Sequence, residues 1–103
     1  MDDVVEAMLL AMADDRTVGE VFNIGGSAVS LVEILKLMIK VYGKGSYKLI
    51  EYPQSNKKIE IGDYVADYSK IKNLLGWEPR VGLEECFART FEFYKKNRDK
   101  YWV

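Results

Sequence analysis

The sequence predicts an α/β fold in which helices pack on a few short strands. Two observations carry that expectation. Segments with apolar residues three and four apart, each behind a good capping residue, alternate with short apolar runs stopped by glycine or proline. At 103 residues the chain is also sized for one domain, residues 1–103, with enough length to bury roughly two-thirds of its unfolded surface.

The first helix follows the acidic pair Asp2-Asp3 and carries Val4, Val5, Met8, Leu9 and Met12 at helical spacing. Asp14-Asp15-Arg16-Thr17 ends it. Val18 to Ile24 is then a short apolar strand stopped by Gly25-Gly26. Ser30-Leu31-Val32-Glu33 has capping-box spacing, and the helix behind it aligns Leu31, Leu35, Met38 and Tyr42. Gly43-Lys44-Gly45 stops that helix, and Tyr47–Tyr52 reads as a second strand ended by Pro53. Residues 54–58 are polar and turn-like, which predicts an open loop, with Ile59-Glu60-Ile61 as a brief strand after it. A short helix capped by Asp67 bears Tyr68, Ile71, Leu74 and Leu75, and Gly76 suits its end. The last helix, from Leu83 to about Arg98, aligns Leu83, Phe87, Thr90, Phe91 and Tyr94 and closes on a basic turn that complements the helix dipole.

Composition removes several classes of function. Fifteen basic and sixteen acidic residues give a net charge of −1, which argues against a nucleic-acid partner. No apolar run approaches the roughly 18 residues of a membrane span, so no membrane partner is expected. The single cysteine, Cys86, has no internal partner, which fits a cytoplasmic location. With no histidine, Ser/His and Cys/His catalysis and histidine-ligated metal sites are excluded, and no metal is expected. A nucleotide-cradling glycine loop should follow a strand and open a helix; Gly25-Gly26 follows the strand, but neither G-x-G-x-x-G nor a P-loop is present. Tyr68 and Lys72 have the Y-x-x-x-K spacing by which a lysine lowers the pKa of a tyrosine in short-chain dehydrogenases. Two residues match easily by chance, and Tyr68 also fits the apolar stripe of its own helix, so a packing tyrosine and a solvated lysine are expected.

Several stretches resemble one family in order and spacing. Asp2-Asp3-Val4-Val5-Glu6-Ala7 resembles the V-D-D-V-x-x-A segment of extended short-chain dehydrogenases, the NAD-dependent nucleotide-sugar epimerases and dehydratases such as UDP-glucose 4-epimerase. Gly19–Gly26 resembles the following G-x-x-x-N-I-G strand, and Ser30–Glu33 the S-L-x-E helix start. Ala66-Asp67-Tyr68-Ser69-Lys70 with Leu75-Gly76-Trp77-Glu78-Pro79 resembles the A-D-x-S-K…L-G-W-x-P signature near the family's C-terminus. Leu83-Glu84-Glu85 matches its S-L-E-E start, with Gly82 in place of serine.

The resemblance spans essentially the whole chain but only the last third of a family member, and Met1 falls inside a motif. It therefore implies a truncated chain, the C-terminal substrate-binding portion with the Rossmann core missing. The parent family is enzymatic and uses NAD; this chain alone is expected to be inactive, with no catalytic residue and no cofactor site of its own. What it implies for this chain is weak binding of a nucleotide-diphosphate sugar. Lys57-Lys58-Ile59-Glu60 occupies the place of the family's basic residue, two spacers and acid. Lys57 would meet the diphosphate, Glu60 the ribose hydroxyls, and Tyr64 would lie near the sugar. Lysine offers a point charge where the family's arginine offers a bidentate fork. A gapped register would make Asp63 the ribose ligand and leave Glu60, a poor phosphate partner, at the arginine position.

Two other readings stand beside this one. A shortened chain could be a self-associating or partner-binding module with no ligand, because the apolar Val21–Ile24 strand and the helices beside it lack their family neighbours, which implies a homo-oligomer through exposed apolar surface. A small independent enzyme using Tyr68, Lys72, Lys57 and Glu60 ranks last, because it lacks a cofactor motif.

Overall fold

The computed structural model describes residues 1–102. Among them every regular element is helical: α1 (Asp2–Met12), a 3-10 turn (Asp15–Thr17), α2 (Leu31–Tyr42), α3 (Gln54–Lys57), α4 (Ser69–Leu75), α5 (Leu83–Lys96) and α6 (Arg98–Tyr101). The α/β expectation is thus overturned. Val18–Ile24, Tyr47–Tyr52 and Ile59–Ile61 form no strand, and Val21, Leu49, Ile50, Ile59 and Ile61 stand exposed. The reason lies in what an apolar run encodes. It expresses a preference for burial, whereas a strand also needs a neighbour to take its backbone N–H and C=O groups. No described segment supplies that ladder. A helix closes its own hydrogen bonds, so the expected long helices all form.

The chain divides into two compact units, each built from two stretches of sequence. The first holds residues 1–28 and 63–81. Its core is Ala7 of α1, Ile71 of α4 and Trp77, with Leu10, Phe22, Tyr68 and Leu75 packed around them. The Trp77 indole N–H donates to the Asp3 carbonyl at 2.9 Å, and Tyr68 meets the Trp77 ring edge-on at 5.8 Å. Asp3 does not cap α1, which has no side-chain cap; its carboxylate accepts from the backbone N–H groups of Arg80 and Val81, both at 3.1 Å. This ties the Trp77-Glu78-Pro79 turn to the start of α1. Lys70 binds Glu20 at 2.6 Å and the Val21 carbonyl at 2.9 Å, with its ammonium 5.1 Å from the Phe22 ring. That lysine gives the extended segment before Gly25 one backbone partner, at the Val21 carbonyl. Gly25 is required by a close approach, because a Cβ there would stand 2.8 Å from the Ala66 Cβ. Asp67 acts one residue earlier than expected: Tyr68 is the N-cap residue of α4, while the Asp67 carboxylate accepts from the Ser69 N–H at 2.9 Å.

The second unit holds residues 29–62 and the chain from Gly82 onward. The capping box of α2 forms as its sequence predicts: Ser30 Oγ accepts from the Glu33 N–H at 3.3 Å, and Glu33 accepts from the Ser30 N–H at 2.8 Å. Gly43 ends α2 in the left-handed conformation that glycine adopts without Cβ strain. α2 packs on α5, with Tyr42 against Phe91 at 5.1 Å between ring centroids and Lys40 bridging to Glu84 at 3.3 Å. Neither helix has a fully buried residue. The polar segment expected as a loop instead winds into the single turn of α3, directly after Pro53.

Candidate functional site

Lys57 and Glu60 belong to the second unit and lie on one tight turn. The Pro53 carbonyl accepts from the N–H groups of Asn56 and Lys57 at 3.0 and 3.3 Å, and the Asn56 carbonyl accepts from Ile59 and Glu60, both at 3.1 Å. This winding brings Glu60 three residues on from Lys57 to the next turn of the same short coil. The Glu60 carboxylate accepts from the Tyr52 hydroxyl at 2.6 Å, a contact that holds the Tyr52 pKa above its ordinary value because the charged partner favours the protonated phenol. Lys57 and Lys58 are exposed, and neither has an ion-pair partner among the described residues. Gly62, with φ of 76°, follows this coil. Asp63 and Tyr64 open the second stretch of the first unit, where both are exposed. The structure therefore brings Lys57, Glu60 and Tyr52 together in one unit and assigns Asp63 and Tyr64 to the other.

Tyr68 and Lys72 are occupied structurally. Tyr68 packs on Trp77, and Lys72 pairs with Glu78 at 2.9 Å, which raises the lysine's pKa and lowers the glutamate's. Gly25-Gly26 does not open a helix. The chain runs without regular structure to Ser30, and the capping box already holds the Glu33 N–H in the first turn of α2 and the N–H of Ser30 before it. These residues do not fit the pyrophosphate of a dinucleotide, which needs a glycine turn leading straight into free helix N–H groups. Among the described residues no group of three acidic or cysteine side chains could hold a metal ion, and no helix is long and apolar enough to cross a membrane.

Sequence reasoning missed a groove in the second unit. An open cavity of about 1060 Å³ runs between α2, the 44–47 segment and the end of α5. Tyr42, Tyr47, Phe91, Tyr94 and Trp102 supply its aromatic surface. Lys44, Lys95 and Arg98 supply its charge, with the Lys44 ammonium 5.7 Å from the Tyr42 ring. The signal was present in the i, i+3 spacing of Phe91 and Tyr94 and in the basic turn beyond Tyr94. Those residues read equally well as one apolar stripe and a dipole-complementing helix end.

Comparison with known proteins gives a consistent picture. The family model described as GDP-mannose 4,6 dehydratase matches residues 1–90. A UDP-glucuronate 4-epimerase of Thermodesulfobacterium geofontis is 30% identical over 100 residues, covering 94% of this chain and 29% of that protein. A dTDP-D-glucose 4,6-dehydratase of Mus musculus is 34% identical over 107 residues, covering 92% of this chain and 28% of that protein. A dTDP-glucose 4,6-dehydratase of Xanthomonas campestris is 28% identical over 111 residues, covering all of this chain and 31% of that protein. The chain thus spans about three-tenths of the length of these relatives. No solved structure matches it significantly.

Proposed function

The chain belongs to the GDP-mannose 4,6 dehydratase family, among the NAD-dependent nucleotide-sugar epimerases and dehydratases, and from that premise we propose that it contributes the nucleotide-diphosphate-sugar side of such a site without catalysing by itself. In this reading Lys57 meets the diphosphate, Glu60 the ribose hydroxyls, and Tyr64 lies near the sugar; Asp63 is the ribose ligand in the gapped register. The observation that carries it is the exposed Lys57 ammonium with no carboxylate partner among the described residues, on the same coil as Glu60. An ammonium left solvated and unpaired can take a phosphate without first losing an ion pair. The Tyr52 hydroxyl fixes the direction of the Glu60 carboxylate. NAD binding and hydride transfer belong outside these residues, because Gly25-Gly26 offers no dinucleotide cradle.

The test is a titration of residues 1–103 with uridine diphosphate and thymidine diphosphate, followed by NMR chemical shifts. One exposed lysine contact supports dissociation constants on the order of millimolar, weakening as salt rises. Lys57→Ala should remove the response of the 53–60 coil. An unchanged response in that variant would overturn the assignment, and saturable NAD binding lost on substitution within this chain would overturn the division of labour.

A second reading rests on the exposed apolar side chains. Met8, Leu9 and Met12 of α1, with Val21, stand in solvent in the first unit, as do Leu49 and Ile50 in the second. Such surface favours self-association into a homo-oligomer. Light scattering over a tenfold concentration range tests this, and a constant mass near 11.9 kDa would sink it.

A further inference from the structure

We propose that the groove between α2 and α5 is a second binding site, for a small planar ring that carries an anionic group. It shares no residue with the Lys57 coil and does not depend on that reading. Three observations within the second unit converge on this ligand chemistry.

The first is the aromatic lining. Tyr42 meets Phe91 at 5.1 Å with an interplanar angle of 52°, and Tyr94 meets Trp102 at 5.6 Å and 74°. Tilted rings of this kind leave faces and edges open to a further flat ring. Tyr42 and Trp102 are more than half exposed, so apolar area is available to be covered.

The second is charge. Lys44, Lys95 and Arg98 line the groove and no carboxylate does. None of the three has an ion-pair partner among the described residues. The contrast along α5 is informative: Arg89 pairs with Glu85 and Lys96 with Glu92, each one turn back, whereas the residue one turn before Lys95 is Phe91. The helix thus places a ring where its other cations have an acid. On a chain with a net charge of −1, this groove is a local concentration of positive charge.

The third is the polar lining. The Thr90 hydroxyl already donates to the Cys86 carbonyl at 2.7 Å, and the other hydroxyl-bearing residues of the lining, Ser46, Tyr42, Tyr47 and Tyr94, carry O–H donors that suit an anionic group as the cations do. A neutral apolar occupant would leave three cations beside it without a counter-charge. An inorganic anion would leave the rings uncovered. A planar anion satisfies both, stacking on the aromatic wall while its charged group meets the Arg98 fork and the lysines.

The experiment titrates the 103-residue chain with 2-naphthyl phosphate and two controls that each lack one feature, 2-naphthol (ring without charge) and cyclohexyl phosphate (charge without a flat ring). The indole N–H signals of Trp102 and Trp77 serve as reporters in the groove and in the core of the other unit. The expected result is a saturable shift at Trp102 and none at Trp77, with 2-naphthyl phosphate bound at least about fivefold more tightly than either control, the size that removal of one of two modest contacts gives. The double variant Lys95→Gln/Arg98→Gln should weaken 2-naphthyl phosphate about fivefold and leave 2-naphthol unchanged. Lys57→Ala should leave both unchanged. Equal affinity for 2-naphthol and 2-naphthyl phosphate would overturn the proposal, as would a response at Trp77, loss of binding in Lys57→Ala, or no saturation at all. The comparison of the three ligands on the unsubstituted chain decides the matter even if the double variant does not fold.

Discussion

Replacing Ile71 with alanine tests whether the small core of the first unit determines its stability. Ile71 is 2% exposed, the most deeply buried side chain described, and it shares its cluster with only Ala7 and Trp77 as fully buried neighbours. The substitution removes three carbons. At about 0.8 kcal/mol for each buried carbon group, the lost transfer energy is about 2.4 kcal/mol. Incomplete collapse of Leu10, Phe22, Tyr68 and Leu75 into the gap adds a cavity cost, so the expected total is about 3 kcal/mol. The chain has two tryptophans, and Trp77 alone reports on this core; the measurement therefore uses a Trp102→Phe background and follows Trp77 emission through urea. With a slope of about 1 kcal/mol per molar urea, the midpoint should fall by about 3 M. Ile71→Val, which removes one carbon, should cost about 1 kcal/mol. Leu49→Ala, at a residue 74% exposed in the other unit, should cost no more than about 0.5 kcal/mol and so move the midpoint by no more than about 0.5 M. If Ile71→Ala and Leu49→Ala shifted Trp77 unfolding equally, the three-residue core would not be what holds this unit together.

Further outcomes follow from local geometry. Gly25→Ala should destabilise the first unit by about 1–3 kcal/mol, because the new methyl would meet the Ala66 Cβ at 2.8 Å; a thermal melt in which Ala66→Gly gives no recovery would count against that contact as the cause. Ser30→Ala should cost about 1 kcal/mol by removing the side chain that caps α2, seen as faster amide exchange in its first turn, and unchanged exchange would exclude the cap. The Arg16 guanidinium beside Asp14 holds that carboxylate at about 2, down from an ordinary 3.8. A depressed folded pKa contributes stability that is present above pH 3.8 and lost as pH falls toward 2, so carboxyl-carbon NMR should show Asp14 titrating nearer 3.8 in Arg16→Gln. Glu33 follows the same sign, since the Ser30 backbone N–H, and after it the Ser30 hydroxyl, holds its carboxylate below the ordinary 4.5; the capping box should loosen as the solution is acidified below that value, and a Glu33→Gln chain, which has no carboxylate to protonate there, should lose that part of the acid sensitivity.

The helices were legible because a helix is a local object. The apolar spacing of α1, α2 and α5, the Ser30/Glu33 box and the glycines at 43 and 76 each act within a turn or two of backbone, and each appears where the residues place it. Family membership was legible for a related reason, since short motifs in fixed order survive in one dimension, and the match over residues 1–90 runs through them. The strands could not be decided this way. Val21, Phe22 and Ile24 carry the same apolar pattern whether or not a neighbouring strand exists, and only three-dimensional pairing distinguishes a strand from an extended segment. The role of Asp3 was also hidden: its acidic position suggested a cap, but Arg80 and Val81, far along the chain, are the groups it holds. The groove needed tertiary structure for the same reason. Tyr42 and Lys44 lie about fifty residues before Phe91, Tyr94 and Arg98 in sequence, and the packing of α2 on α5 is what places five separately unremarkable side chains around one cavity. Local periodicity determines which residues make helices, while the choice of partners across the chain is a property of the folded state alone.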